Sequence, residues 1–174
     1  MEELVPGLMT IGELQKILQH LLSERVSVRD LPTILETLAD NARNTKDIDA
    51  LVSFVRSALS RQICKQLQAE DKSISVVTLD PQIEQLIIDH LKSQDQKPSY
   101  LAMDPDIIKR IFASLSGAVA KLVSLSRPPV VLVSPQVRSS FKKLTERNYP
   151  HLNVLGYNEV PTDQEIKSLG MVSI

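Results

Sequence analysis

The sequence holds one cysteine in 174 residues, Cys64. A disulfide framework is therefore excluded, and a single thiol fits a reducing compartment. There is no tryptophan, and aromatic residues make up only 3% of the chain. That removes the stacking platforms on which proteins hold unpaired bases. Neither sign of charge dominates: 20 Lys+Arg stand against 21 Asp+Glu, a net charge of −1. Such balance argues against a general nucleic-acid binder and against adsorption to anionic membranes. No run approaches the roughly 18 to 20 apolar residues that a membrane span requires, and no signal-peptide pattern opens the chain. The five glycines, at positions 7, 12, 117, 156 and 170, never share a loop. Walker and dinucleotide fingerprints, which cluster glycines where backbone meets phosphate, are absent. What remains is 43% hydrophobic and 24% charged residues, the mix of a soluble globular protein. A chain of this length can bury roughly two-thirds of its unfolded surface without a metal or disulfide.

The first seventy residues read as successive helices. Thr10-Ile11-Gly12-Glu13 matches a capping box, and Ile11, Leu14, Ile17, Leu18, Leu21 and Leu22 then recur at helical spacing. A short connection, Ser23 to Arg29, leads to a second helix. Asp30 is its N-cap, with Ser27 the second choice, because Pro32 then falls in the first turn where no amide is needed. Leu31, Ile34, Leu35, Leu38 and Ala42 supply its apolar stripe, and Leu18 and Leu35 are read as core positions. A third helix is expected from Thr45–Asp47 to about Leu67, with Cys64 on its polar Ser53-Ser57-Ser60 side.

The texture changes at Ala69-Glu70-Asp71-Lys72. Beyond it, Ile74 to Leu79 and Val130 to Val133 are β-branched runs that read as buried strands. Leu152 to Tyr157 and Ile166 to Val172 read as two more. Asp80-Pro81, Asp104-Pro105 and Ser134-Pro135 are helix-start signals, and the polar stretch Ser93 to Ser99 reads as a loop. The fold class expected is therefore mixed α/β. A three-helix, helix-turn-helix-like subdomain over residues 1–68 precedes an α/β subdomain over 69–174 with a mostly parallel sheet of about four strands.

Candidate chemistry is sparse. The β-to-α turns, where an α/β fold binds phosphate, read Leu79-Asp80-Pro81 and Val133-Ser134-Pro135, without glycine and with an acid. His20, His90 and His151 lie in separate segments, away from any metal-ligand spacing with Cys64. No Gly-x-Ser-x-Gly elbow exists. Neither a catalytic residue, a cofactor nor a metal is assigned, and the chain is read as a non-enzyme. Arg138, Lys142, Lys143 and Arg147 form a basic helix stretch, read as a solvated surface. The second helix could act as a DNA-reading helix by position, but it carries Glu36 and Asp40 and no Lys or Arg, the wrong sign for phosphates. Nucleic acid is therefore not expected as a partner.

Several blocks resemble one family. They are Glu24-Arg25-Val26-Ser27-Val28-Arg29-Asp30-Leu31-Pro32-Thr33-Ile34-Leu35, then Val55-Arg56-Ser57-Ala58-Leu59-Ser60-Arg61-Gln62-Ile63, Tyr100-Leu101-Ala102-Met103-Asp104-Pro105, Pro129-Val130-Val131-Leu132-Val133 and Tyr157-Asn158-Glu159-Val160-Pro161. In this order they are similar to the C-terminal cytoplasmic region of the FlhA family of flagellar export-gate membrane proteins, with relatives in type III secretion. The resemblance implies the last two of four cytoplasmic subdomains, Met1 being the start of an excised piece rather than of the whole protein. It implies a nine-membered ring of identical copies at the cytoplasmic face of the bacterial inner membrane, this piece itself being soluble. The family's partners are flagellar export substrates and chaperones, mainly through upstream subdomains absent here, and soluble components of the export ATPase. The function implied is ring assembly and docking during flagellar type III protein export. A small soluble α/β ligand-binding protein or a helix-turn-helix regulator is the alternative. Arg25, Arg29, Asp30 and Glu36 flank the connection between the first two helices, off their apolar stripes, and are the candidate subunit interface. Asp30 has a local use as an N-cap, Glu36 can be solvated, and a plain solvated turn fits as well as an interface does.

Overall fold

The computed structural model describes residues 3–93 and 103–174. Tyr100, Leu101 and Ala102 of the family blocks, and the expected loop beyond Ser93, lie outside the described residues. The chain forms two compact units, Met1–Ile63 and Cys64–Ile174.

The first unit is helical. Helix α1 (Ile11–Ser23) starts at a reciprocal cap: the Glu13 amide donates to Thr10 Oγ1 (3.1 Å) and the Thr10 amide to Glu13 Oε2 (2.7 Å). Two orphan amides are thus satisfied by two side chains. Helix α2 (Leu31–Asn41) starts at Asp30, whose carboxylate accepts from the Thr33 amide (3.2 Å) and hydroxyl (2.7 Å). Helix α3 (Ile48–Ala58) starts at Asp47, which accepts from the Ala50 amide. Ile17, Leu21, Ile34, Leu38, Val52 and Val55 are fully enclosed between these helices. Leu18 and Leu35 are only half-buried, while Ile11 (73% exposed) and Leu22 face solvent. The apolar pattern on α1 is thus wider than the face it buries.

The expected third helix is interrupted after Ala58. The Leu59 amide donates to the carbonyls of Val55 (3.0 Å) and Arg56 (3.1 Å), a tightened last turn. A separate helix α4 (Ser60–Leu67) follows. Cys64, expected on a polar face, is buried.

The second unit is a four-stranded, all-parallel sheet with helices between strands. Its strands are β1 (Ile74–Leu79), β2 (Val130–Val133), β3 (Asn153–Gly156) and β4 (Ile166–Val172), in the order β3-β2-β1-β4. Helices α5 (Pro81–Ser93) and α6 (Pro105–Ser124) join β1 to β2, and α7 (Pro135–Thr145) joins β2 to β3. All three begin with proline at the first helical position, where its missing amide costs nothing. Asp80, Asp104 and Ser134 just before them accept from the amides of Gln82 (2.8 Å), Asp106 (3.0 Å) and Gln136 (3.3 Å). Ile83, Ile87, Ile111, Leu115, Val131 and Phe141 lie in one core with no exposed surface. β3 stops at Gly156, one residue short of the expectation, because Tyr157–Glu159 turn into a short 3-10 helix.

The N-terminal end of β1 is closed by Asp71. Its carboxylate accepts from the Ser73 hydroxyl (2.7 Å), the Ser73 amide (3.0 Å) and Lys167 Nζ (2.9 Å). These bonds hold the carboxyl well below its ordinary value of 3.8, the Ser73 hydroxyl and the Lys167 ammonium contributing most. A carboxyl depressed in the folded state contributes stability above its unfolded value and loses it as pH falls toward the folded one. The advantage of the natural chain over Asp71→Asn should therefore be full at pH 7 and shrink steadily below about pH 4, as thermal melts of the pair across pH would record.

Candidate functional site

The four candidate interface residues lie in the helical unit. α1 ends in a Schellman motif: the Val26 amide donates to the Leu21 carbonyl (2.9 Å) and the Arg25 amide to Leu22 (2.9 Å). Arg25 occupies the left-handed position of that motif, φ 61°, which glycine usually fills. Val26 and Leu21 are both buried, so the turn is fixed from beneath while Arg25 stays exposed. The Gln62 side chain donates to the Ser27 carbonyl (3.0 Å), and the Arg29 amide donates to Ser27 Oγ (3.3 Å). Arg29 is exposed, and Asp30 is engaged with Thr33 as the cap of α2. Glu36 is exposed further along α2, and so is Asp40 one turn beyond it. The connection is therefore a braced turn that carries two arginines outward, next to a helix whose outer face is acidic. The positive φ gives a clean check. Arg25→Gly should be more stable than Arg25→Ala by about 1 kcal/mol in denaturant titration, since both lose the side chain and only glycine is unstrained there.

Beneath this turn lies a charge pair that the sequence reading missed. Arg56 Nη1 donates to Glu24 Oε2 at 2.8 Å, with the two side chains only 5% and 6% exposed. His20 stands 3.9 Å from Glu24 and 3.8 Å from Asp49. The Glu24–Arg56 pair joins α3 to the end of α1, one residue before Arg25. Its signal was available: Arg56 falls four residues after Val52, on the buried stripe of α3.

In the α/β unit the basic stretch on α7 divides. Lys143 and Arg147 are exposed, as expected, but Arg138 and Lys142 are buried. Arg138 Nε lies 3.5 Å from Glu159 Oε1, with the side chains 6% and 2% exposed. Glu159 also accepts from the Gly156 amide (2.9 Å), and its carbonyl accepts from the Cys64 thiol (3.3 Å). The carboxylate of the Tyr-Asn-Glu-Val-Pro block is therefore a structural keystone. Tyr157 beside it is half exposed, and partial burial with the neighbouring Glu84 charge raises its phenol above the ordinary value.

The C-terminal edge of a parallel sheet is where such folds bind anions. Here the amides that would do so serve the chain's own groups. Asp80 takes the Gln82 amide, Ser134 Oγ the Gln136 amide, and Glu84 the Ser134 amide (2.9 Å). Two carboxylates stand where a phosphate would sit. Among the described residues no group of three His, Cys, Asp or Glu side chains could hold a metal, and no helix is long and apolar enough to cross a membrane.

A helical unit followed by a small parallel α/β unit is shared with about half of each of two solved type III secretion protein chains. The structure of the Chlamydia pneumoniae CdsV protein superposes with a TM-score of 0.82 at 34% identity, over 93% of this chain and 46% of that one. Nonameric SctV-C from EPEC superposes with a TM-score of 0.81 at 29% identity, over 95% and 49%. The FHIPEP family model matches residues 1–165, and the chain belongs to that family. It is 39% identical over 173 residues to the flagellar biosynthesis protein FlhA of Bacillus subtilis (strain 168), covering 99% of this chain and 25% of that protein. Its identity to FlhA of Salmonella typhimurium is 34% over 166 residues, covering 95% and 23%. The chain thus spans about a quarter of the length of these curated relatives and about half of the solved chains.

Proposed function

We propose that this chain is a non-enzymatic assembly and docking module of a flagellar type III protein export gate, working at the cytoplasmic face of the inner membrane. The observation that carries the reading is the braced turn at Ser23 to Arg29. Backbone hydrogen bonds, a buried Val26 and the Asp30 cap hold it in one shape while Arg25 and Arg29 remain exposed. Arginine pairs bidentately with carboxylates, and charge pairs across an interface set register between subunits. In the proposed ring, Arg25 and Arg29 of one copy meet carboxylates of the next, and Glu36 is available as an acceptor. Asp30 fixes the start of α2 rather than crossing the interface. A head-to-tail contact of this kind closes into a ring when its rotation divides the circle, and the SctV-C relative is nonameric.

A CdsV relative has been solved in complex with CdsO, and a soluble partner of that kind is the one we infer for this chain. Export substrates and chaperones engage mainly the parts of the whole protein that this chain does not span. The alternative, a small α/β ligand-binding protein, is disfavoured by carboxylates occupying the anion-binding turns. Reversing Arg25→Glu and Arg29→Glu in the full-length parent should abolish swimming and export, while the thermal melt of the 174-residue chain changes little, because exposed charges contribute little to folding. Normal swimming with both charges reversed would sink the interface reading.

A further inference from the structure

β3 is an edge strand, paired with β2 on one side only. Along a parallel strand, successive residues send their N–H and C=O groups alternately to either side. The Asn153 amide donates to Pro129 at the start of β2 (2.9 Å), so Asn153 and Leu155 face the sheet. Leu152, Val154 and Gly156 therefore point their main-chain groups off the edge. Each of the three meets a side chain. Lys142 Nζ donates to the Leu152 carbonyl (2.8 Å), Arg138 Nη1 to the Val154 carbonyl (3.4 Å), and the Gly156 amide donates to Glu159 Oε1 (2.9 Å). The Arg138–Glu159 ion pair links two of these caps. A Cβ at position 156 would lie 3.2 Å from Glu159 Oε1, so glycine is what lets the carboxylate come this close.

Open edges template pairing with other chains, and short uncharged β-prone segments are the most hazardous. Leu152-Asn153-Val154-Leu155-Gly156 is short and uncharged. We propose that Arg138, Lys142 and Glu159 form a side-chain clasp that takes the place of a fifth strand along β3. The clasp keeps this edge from pairing with the β3 edge of a second copy. It accounts for two cations buried on a helix that could have presented both to water. It is also independent of the ring contact proposed above, which uses the helical unit.

The test is made on the 174-residue chain. Arg138→Met, Lys142→Met and Glu159→Gln together remove the charges, keep the apolar stems and leave no buried ion unpaired. Sedimentation should then show a new concentration-dependent species of doubled mass or larger, beyond any association of the natural chain. Amide exchange at Val154 should slow as that species forms. Adding Val154→Pro, which removes a donor on the outer edge without touching the β2 ladder, should return the natural distribution. A folded triple variant that sediments like the natural chain would overturn the proposal, as would association with no slowing at β3. Should the triple variant fail to fold, Lys142→Met alone opens the edge at Leu152. It should show the same shift to a smaller extent, and its absence would overturn the proposal equally.

Discussion

Arg56→Ala should destabilise the helical unit by roughly 3 to 5 kcal/mol, the cost of leaving a buried charge without its partner. The Glu24 carboxylate is then held at the end of α1 with its 2.8 Å donor removed and almost no access to water. Arg56→Met with Glu24→Gln should recover most of the loss, because apolar or neutral groups of similar shape replace a buried pair at little net cost. Denaturant melts of the single and double variants read both numbers. A single variant within about 1 kcal/mol of the natural chain would mean that water reaches the pair, as at surface bridges.

Glu159→Ala should do comparable damage in the α/β unit, again roughly 3 to 5 kcal/mol. It removes the carboxylate 3.5 Å from Arg138 and uncaps the Gly156 amide. Glu159→Gln keeps an oxygen acceptor for that amide and should cost less. The ordering Ala worse than Gln, measured by thermal melting, separates the ion pair from the cap. Equal losses would place all of the effect on charge.

The elements themselves were legible because each is announced locally. Thr10 with Glu13, and the prolines at 81, 105 and 135, mark helix starts that need no tertiary information, and the caps form as the residues imply. β-branched runs placed β1 and β2, the stretches at 152–157 and 166–172 read as two more strands, and the helices after β1 and β2 pointed to a mostly parallel sheet. Leu59 was opaque, since the turn there tightens without proline or glycine. Cys64 was misplaced because its face was projected along one unbroken helix. Buried charge was the other blind spot. Arg138 and Lys142 read as surface by residue type, although they follow Val137 and Phe141 along one stripe of α7, and Arg56 drew no reading at all. What draws Arg138 and Lys142 inward is the Leu152 and Val154 carbonyls and the Glu159 carboxylate, which become neighbours only when the sheet has formed. The interface candidates show the converse. Asp30 was foreseen as a cap, whereas the left-handed backbone of Arg25 was not, since arginine gives no hint of φ above zero.

Assembly through the arginine-bearing turn is tested most directly by imaging the rings formed by the full-length protein carrying Arg25→Glu and Arg29→Glu. Closed rings should be lost, leaving single copies whose helical unit melts as in the natural protein. Intact rings of unchanged copy number, formed with both charges reversed, would contradict a role for this turn in holding neighbouring copies together.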